Sequence, residues 1–328
     1  MKKPLSTDKV IRTLKKASRD RTAQLKVLSA SPVTRSAIRQ ARAETLQIVT
    51  QHLRDTGLDL RKIKAIQKRL GVELARGAAQ QKAAAIKAAP KQKQRVNKAI
   101  AQRVKAASAL AFGPSLNVNP FVVLDTPILI WPQPLFALTD SNTAPFDSWV
   151  KFDFSNSNSE GTQSVNFYYY WTSPFSSPVT INAETFLSAV GHLQANADWG
   201  LASHGADVGV VALFSAWVGA PQYGIDPPQM ALGEVRALSM FLTGEDSHGT
   251  PINSEVTLIN TMLAVPPGAG VIFEVSLAVY YYSDDGGHID ADFASGDFRL
   301  ASPFVAFSIV GAPNPAWGVN VNPVATAD

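Results

Sequence analysis

The chain contains no cysteine. Disulfide frameworks, Cys-ligated zinc, iron–sulfur clusters and thiol nucleophiles are therefore excluded. No Phe, Tyr or Trp precedes Phe112. Aromatic side chains bury large areas and usually dominate a core, so the front of the chain has only Ala, Leu, Ile and Val with which to pack. That suits slender helices better than a thick globule. The back of the chain lacks something else: only three of the thirty Lys and Arg residues follow Phe112. No apolar run is long enough to span a bilayer as a helix. Lys9, Arg12, Lys15 and Lys16 interrupt any apolar stretch near the N-terminus, which argues against a signal peptide. Cytoplasmic synthesis is expected, and a virion location or leaderless export would leave the same trace.

What is present divides along the same border. Residues 1–112 carry 27 basic and 6 acidic side chains, a net of +21, while residues 113–328 carry 3 and 20, a net of −17. The overall +4 is a cancellation of two opposed parts. Such asymmetry points to a polyanion partner for the front part, whether nucleic acid, an anionic membrane or an acidic protein.

The front part reads as helices. Ser31-Pro32 makes a helix start, followed by an apolar stripe at Ile38, Ala41, Leu46, Val49 and Leu53 that ends at Gly57. Asp59 is placed to cap a second helix, with Leu60, Ile63, Ile66 and Leu70 on one face and Gly71 expected to stop it. Beyond it, Val96, Ile100, Val104 and Ala107 make another apolar face after Pro90. Residues 82–91, rich in Lys and Ala, are similar in composition to the tails of linker histones.

From residue 118 the period of apolar residues changes to two. Nine strands are expected, at 121–124, 149–154, 165–171, 185–197, 208–218, 235–242, 256–264, 271–282 and 298–310. The clearest is Val271 to Tyr282, where Phe273, Val275, Leu277, Val279 and Tyr281 share a face. The fold class expected is α+β in two parts. A basic helical region (1–112) and a linker (113–117) lead to an acidic antiparallel β-sandwich, jelly-roll-like (118–312), and a tail (313–328).

The basic helices carry the strongest functional signal. The candidate phosphate contacts are Arg61, Lys62, Lys64, Lys68, Arg69, Lys82, Lys87, Lys91, Lys93, Arg95, Lys98, Arg103 and Lys105. Neutralising a phosphate backbone needs many cations at no fixed spacing, and without aromatics stacking on single-stranded bases is disfavoured. A weaker candidate is the loop 284–292, in which Asp284, Asp285, Asp290 and Asp292 are spaced to wrap a calcium ion. The competing reading is a turn between two strands, with Asp-Gly-Gly supplying backbone freedom. The two triplets Tyr168-Tyr169-Tyr170 and Tyr280-Tyr281-Tyr282 must place rings on both faces of their strands, with ordinary packing as the expectation.

His192, His204, His248 and His288 have no metal-ligand spacing, and no nucleophile elbow, P-loop or zinc-protease motif occurs. No enzyme activity, cofactor or small-molecule substrate is expected. The reading is a self-assembling protein, a homo-oligomer, whose basic arm binds nucleic acid or another polyanion while the sandwich forms a body or shell. In architecture and charge it is similar to the coat proteins of small icosahedral viruses. The alternative is a surface-binding module (adhesin, lectin or toxin component) whose helices oligomerise or engage an anionic membrane.

Overall fold

The computed structural model describes residues 6–28, 44, 47–48, 51–52, 54–57, 59–112, 121–198, 204–220, 227–239 and 245–310. The expected linker 113–117, the tail 313–328 and most of the helix expected after Ser31 lie outside those residues.

Two helices are described in full, α1 (Thr7–Leu28) and α2 (Leu60–Phe112). α1 opens with Lys9 and Val10 donating backbone N–H bonds to the Ser6 carbonyl. α2 opens as expected: the Asp59 carboxylate accepts from the Arg61 and Lys62 backbone N–H groups at 3.0 and 3.2 Å, satisfying donors that have no partner inside the helix. Gly71 does not stop it. The helix runs through Gly71 and Pro90, although Gly in a helix interior costs about 1 kcal/mol against Ala and Pro about 3. The reason is tertiary: a carboxylate oxygen of Glu245 lies 2.0 Å from where a Cβ at position 71 would sit, and Gly71 and Ala89 are both buried. Close packing under the helix outweighs local propensity.

The body is antiparallel throughout. Its eleven strands are β1 (Phe121–Leu124), β2 (Leu129–Pro132), β3 (Ala137–Ala144), β4 (Asp147–Thr172), β5 (Val179–Ala197), β6 (His204–Val218), β7 (Gln229–Ser239), β8 (Asp246–Val265), β9 (Gly270–Asp292), β10 (Arg299–Ala301) and β11 (Val305–Val310). Nine were expected. The runs 149–154 and 165–171 join into the single strand β4, because the polar residues between them pair with β9 across Ser155↔Asp290 to Ser164↔Ala278. β2 and β3, which lack period-two alternation, were not anticipated. The final expected strand is split into β10 and β11.

All eleven strands belong to one hydrogen-bonded network, ordered β1-β11-β5-β10-β4-β9-β6-β7 with β8 added on β5 and β2 and β3 on β4. The network folds back on itself. Phe307 of β11, a strand that pairs only with β1 and β5, packs against Trp171 of β4 at 5.0 Å and Phe273 of β9 at 5.3 Å between ring centroids. The β4–β9–β6–β7 part therefore faces the β1–β11–β5–β8 part across a shared core. Phe152, Phe167, Phe214, Phe273, Phe293 and Phe307 are fully buried in it. At roughly 1.5–3 kcal/mol for each large apolar side chain, these rings and the buried Val, Leu and Ile around them hold the two parts together.

Each helix covers the outside of one layer. On α1, Val10 and Leu14 bury against Tyr168, Trp217 and Ile272 on the outer face of β4, β6 and β9. On α2, Val96 and Ile100 join Phe186, Phe304 and Ala306, and Ala89 joins Val190 and Phe298.

Candidate polyanion-binding face

Seven cations of α2 fall on one line. Lys62, Arg69 and Arg76 follow at seven-residue steps, as do Lys91, Lys98 and Lys105, with Lys87 one turn before Lys91. At 100° per residue these seven stay within about 60° of one another around the helix axis. The slow drift of a seven-residue repeat on a 3.6-residue helix is reset by the eleven-residue step from Arg76 to Lys87. All seven side chains are exposed. From Lys62 to Lys105 the line runs about 65 Å at 1.5 Å per residue. The buried positions Gln67, Gly71, Ala78, Ala89, Val96 and Ile100 lie on the opposite side of the helix.

The basic residues expected to meet a polyanion thus divide into two populations. Arg61, Lys62, Lys68, Arg69, Lys87, Lys91, Arg95, Lys98, Arg103 and Lys105 are exposed. Lys82 and Lys93 instead turn towards the body. Lys82 Nζ lies 2.7 Å from Asp292 and 3.4 Å from Asp290, and Lys93 lies 3.0 Å from Asp297. Arg95 is 3.9 Å from Glu255, and the Arg103 guanidinium sits 5.0 Å over the Phe186 ring. The side chain of Lys64 is outside the described residues. Arg76 completes the line but was missed among the candidates, since an isolated Arg between Ala and Gly stands in no cluster; its seven-residue distance from Arg69 is the signal that reveals it.

Beneath α2, around Lys82, lies a polar patch. Asp292 accepts from the Ala294 and Ser295 backbone N–H groups at 2.9 Å and from the Ser295 hydroxyl at 2.6 Å. Burial pushes its carboxyl up, but Lys82 and these donors outweigh burial and hold it below the usual carboxylate value. For Asp290, burial prevails and its carboxyl is raised. Burial lowers Lys82, yet its two carboxylate partners leave it above the usual ammonium value. His192 is fully buried, and both ring nitrogens lack a hydrogen-bond partner. Burial, then repulsion from Lys82, pushes it down. A cavity of about 510 Å³ lies alongside, lined mainly by Ala84, Ala85, Ala88, Val190, Ile252 and Phe298.

The four carboxylates offered for calcium are gathered in two groups. Asp290 and Asp292 hold Lys82. Asp284 and Asp285 lie with His204, ligand-type atoms of the three residues falling within 4.8 Å of one another. Both Asp284 oxygens already accept backbone N–H bonds, from Gly205 at 2.9 Å and Gly286 at 3.2 Å. The expected turn between two strands is not formed. Residues 284–287 bulge from the continuous strand β9, opposite Asn158, where its partner changes from β6 to β5. A Cβ at Gly287 would stand 2.3 Å from the Gly205 carbonyl, so glycine is required there for close approach. The tyrosine triplets are mostly packed: Tyr168, Tyr169 and Tyr281 are buried, Tyr170 and Tyr280 half-buried, and Tyr282 exposed.

No family model matches the chain, and no curated protein matches it. Among solved structures, TmCBM61 in complex with β-1,4-galactotriose is 11% identical, covering 53% of this chain and 87% of that one, at a TM-score of 0.16. TmCBM27, a carbohydrate-binding module with specific mannan recognition, is 9% identical over 58% of this chain and 97% of that one, at 0.19. A xylan-binding domain is 9% identical over 62% and 94%, at 0.15. At such scores these likenesses decide neither the fold nor the function. No helix among the described residues is long and apolar enough to cross a membrane.

Proposed function

We propose that this chain is a non-enzymatic surface-binding module that holds the backbone of a nucleic acid along the outer face of α2, with the β body as its rigid support. The observation that carries the reading is the line of seven exposed cations, Lys62 to Lys105, opposite the face that seats the helix. A docked helix loses little freedom on binding, so its charges are pre-organised.

The composition of that face favours a phosphate backbone over a bilayer. From Lys87 to Lys105 it carries Lys, Arg, Gln and Ala with no acidic residue, and nearer its start Glu73 is joined by the exposed Ile66 and Val72. A helix that lies in a membrane surface needs a long apolar face to insert; from Ala85 to Ile100 that of α2 is packed on the body, and the exposed Ile66, Leu70 and Val72 make only a short patch near its start. The helix has no aromatic residue before Phe112, which leaves backbone contact without base stacking. Lys82 and Lys93 are paired within the chain, so the reading rests on the outer face and not on arm-to-body pairing between subunits. The jelly-roll description of the body and its division from the helices at 113–117 are part of the same proposal.

The test is fluorescence anisotropy with duplexes of several unrelated sequences, at a series of salt concentrations. Seven contacts set an upper slope of about 6 in log affinity against log salt for B-form DNA. Replacing Lys87, Lys91 and Lys98 together by Gln is expected to lower that slope by about 3. Salt-independent binding, or an unchanged slope in the triple variant, overturns the proposal.

A further inference from the structure

One end of the outer face of the β4–β9–β6–β7 layer is covered by α1, and the other is covered by no helix among the described residues. α1 covers the end holding Tyr168, Trp217 and Ile272. Towards the 284–287 bulge, strand register places the next side chains side by side: Arg236, Asp207, Tyr282 and Glu160 form one row, and Glu234, Gly209, Tyr280 and Thr162 the row beside it. Opposed residues in an antiparallel sheet point to the same side. The alternate residues Val208, Val235, Ala237 and Tyr281 are buried in the core, so these two rows face outward.

Two apolar groups stand exposed on this face, Tyr282 at 43% and Leu238 at 49%. Gly205 lies between them: a Cβ built there would be 3.7 Å from a Leu238 methyl and 3.8 Å from the Tyr282 ring. The missing side chain leaves a shallow saddle with an aromatic wall. Around it are hydrogen-bonding groups fixed by their neighbours. Arg236 Nε donates to Asp207 Oδ2 at 2.9 Å, and the Tyr280 hydroxyl donates to Glu234 at 3.0 Å. Asp207 itself is largely covered, its Oδ2 held by Arg236 and its Oδ1 buried. Glu160 is exposed at the rim.

We infer that this saddle is a binding site for a neutral glycan, one pyranose ring stacking its C–H face on Tyr282 beside Leu238 while a hydroxyl donates to the exposed Glu160. An exposed aromatic beside an exposed carboxylate fits a ligand with one apolar face and hydroxyl donors at its edge. Asp207, Glu160 and Glu234 outnumber Arg236 here, so polyanions and acidic sugars are repelled. The site is therefore separate in charge and place from the cationic line of α2, and stands whether or not that line binds nucleic acid.

Affinity electrophoresis of the full chain tests it, in gels containing hydroxyethylcellulose, galactomannan or dextran. Retardation by at least one of the three is expected. Tyr282→Ala should weaken that retardation at least tenfold, Tyr282→Phe should retain it, and Glu160→Ala should weaken it without altering the circular dichroism spectrum. Duplex binding should be the same in all variants. Unretarded wild-type protein in all three gels overturns the inference, as does equal retardation of wild type and Tyr282→Ala.

Discussion

Lysines of the same helix meet opposite fates on its two faces. Lys82 is held at 2.7 Å by Asp292, a carboxylate with only 5% of its side chain exposed, while Lys98, a little over four turns further along α2, is exposed. The inner cation fixes where the helix sits, and the outer one is left available to a ligand. Composition treats them alike, since both belong to the same net charge of +21. What separates them is the side of the helix on which each falls, and that side is defined by the small apolar residues Ala78, Ala89, Val96 and Ile100 that reach the sheet.

The largest effect is expected from breaking the seat itself. Val96→Asp or Ile100→Asp places a carboxylate among Phe186, Phe304 and Ala306. Losing the apolar contact and burying an unpaired charge should together cost at least about 3 kcal/mol. Chemical denaturation and limited proteolysis of α2 check this. Unchanged stability in both variants would mean that α2 does not depend on this contact, and the distinction between inner and outer faces would lose its basis.

That seat shows what was legible in the sequence. The Val96–Ile100 stripe, the Asp59 cap and the alternating face of Val271 to Tyr281 were all readable, because each depends on local periodicity or local hydrogen bonding. The run through Gly71 and Pro90 was not, because it depends on packing under the helix. The polar middle of β4 was hidden for a related reason: residues 155–162 have no apolar alternation and are strand only because β9 pairs with them. For the candidate face, the presence of cations was legible, but their division between Asp292 and solvent was not. The carboxylates that claim Lys82 lie some 210 residues away in the chain.

A smaller loss is expected from Lys82→Met. The substitution keeps most of the apolar stem but leaves Asp290 and Asp292 without their cation. Asp292 retains its bonds to Ala294 and Ser295, which limits the loss to about 1–2 kcal/mol. A double-mutant cycle with Asp292→Asn isolates the pair. A coupling energy near zero would show that the ion pair is incidental to docking.

The same patch makes docking sensitive to acid. His192 is lowered from its ordinary 6.5, so the fold favours its neutral form. Its contribution is complete above that ordinary value and is lost as pH falls through the lowered one. Asp292 is lowered from 3.8, so its contribution persists to more acidic pH and is lost on further descent. Asp290 is raised and works in the opposite sense, gaining on protonation. Lys82, raised above 10.5, contributes at neutral pH and loses its contribution only as pH rises through its raised value. Protection factors along α2, taken against the intrinsic exchange rate at each pH, should therefore fall below about pH 6.5, and His192→Phe should remove that first step while leaving the second. Identical acid profiles in wild type and His192→Phe would exclude His192 as its origin.

The smallest expected change in stability, and the sharpest contrast with Lys82, belongs to Lys98→Gln. Lys98 has an exposed side chain on the cationic line, and Gln is nearly as good a helix former as Lys. The melting temperature should be indistinguishable from wild type, as expected for a surface position away from caps and buried partners. Duplex affinity should nevertheless fall, with the salt slope reduced by about 1 and the loss uniform across sequences. Lys82→Met should do the reverse, lowering stability while leaving the salt slope unchanged wherever the helix stays docked. If Lys98→Gln leaves the slope unchanged, that cation is not a contact. If both substitutions lower the slope equally, the inner and outer faces of α2 do not divide the work of docking and binding.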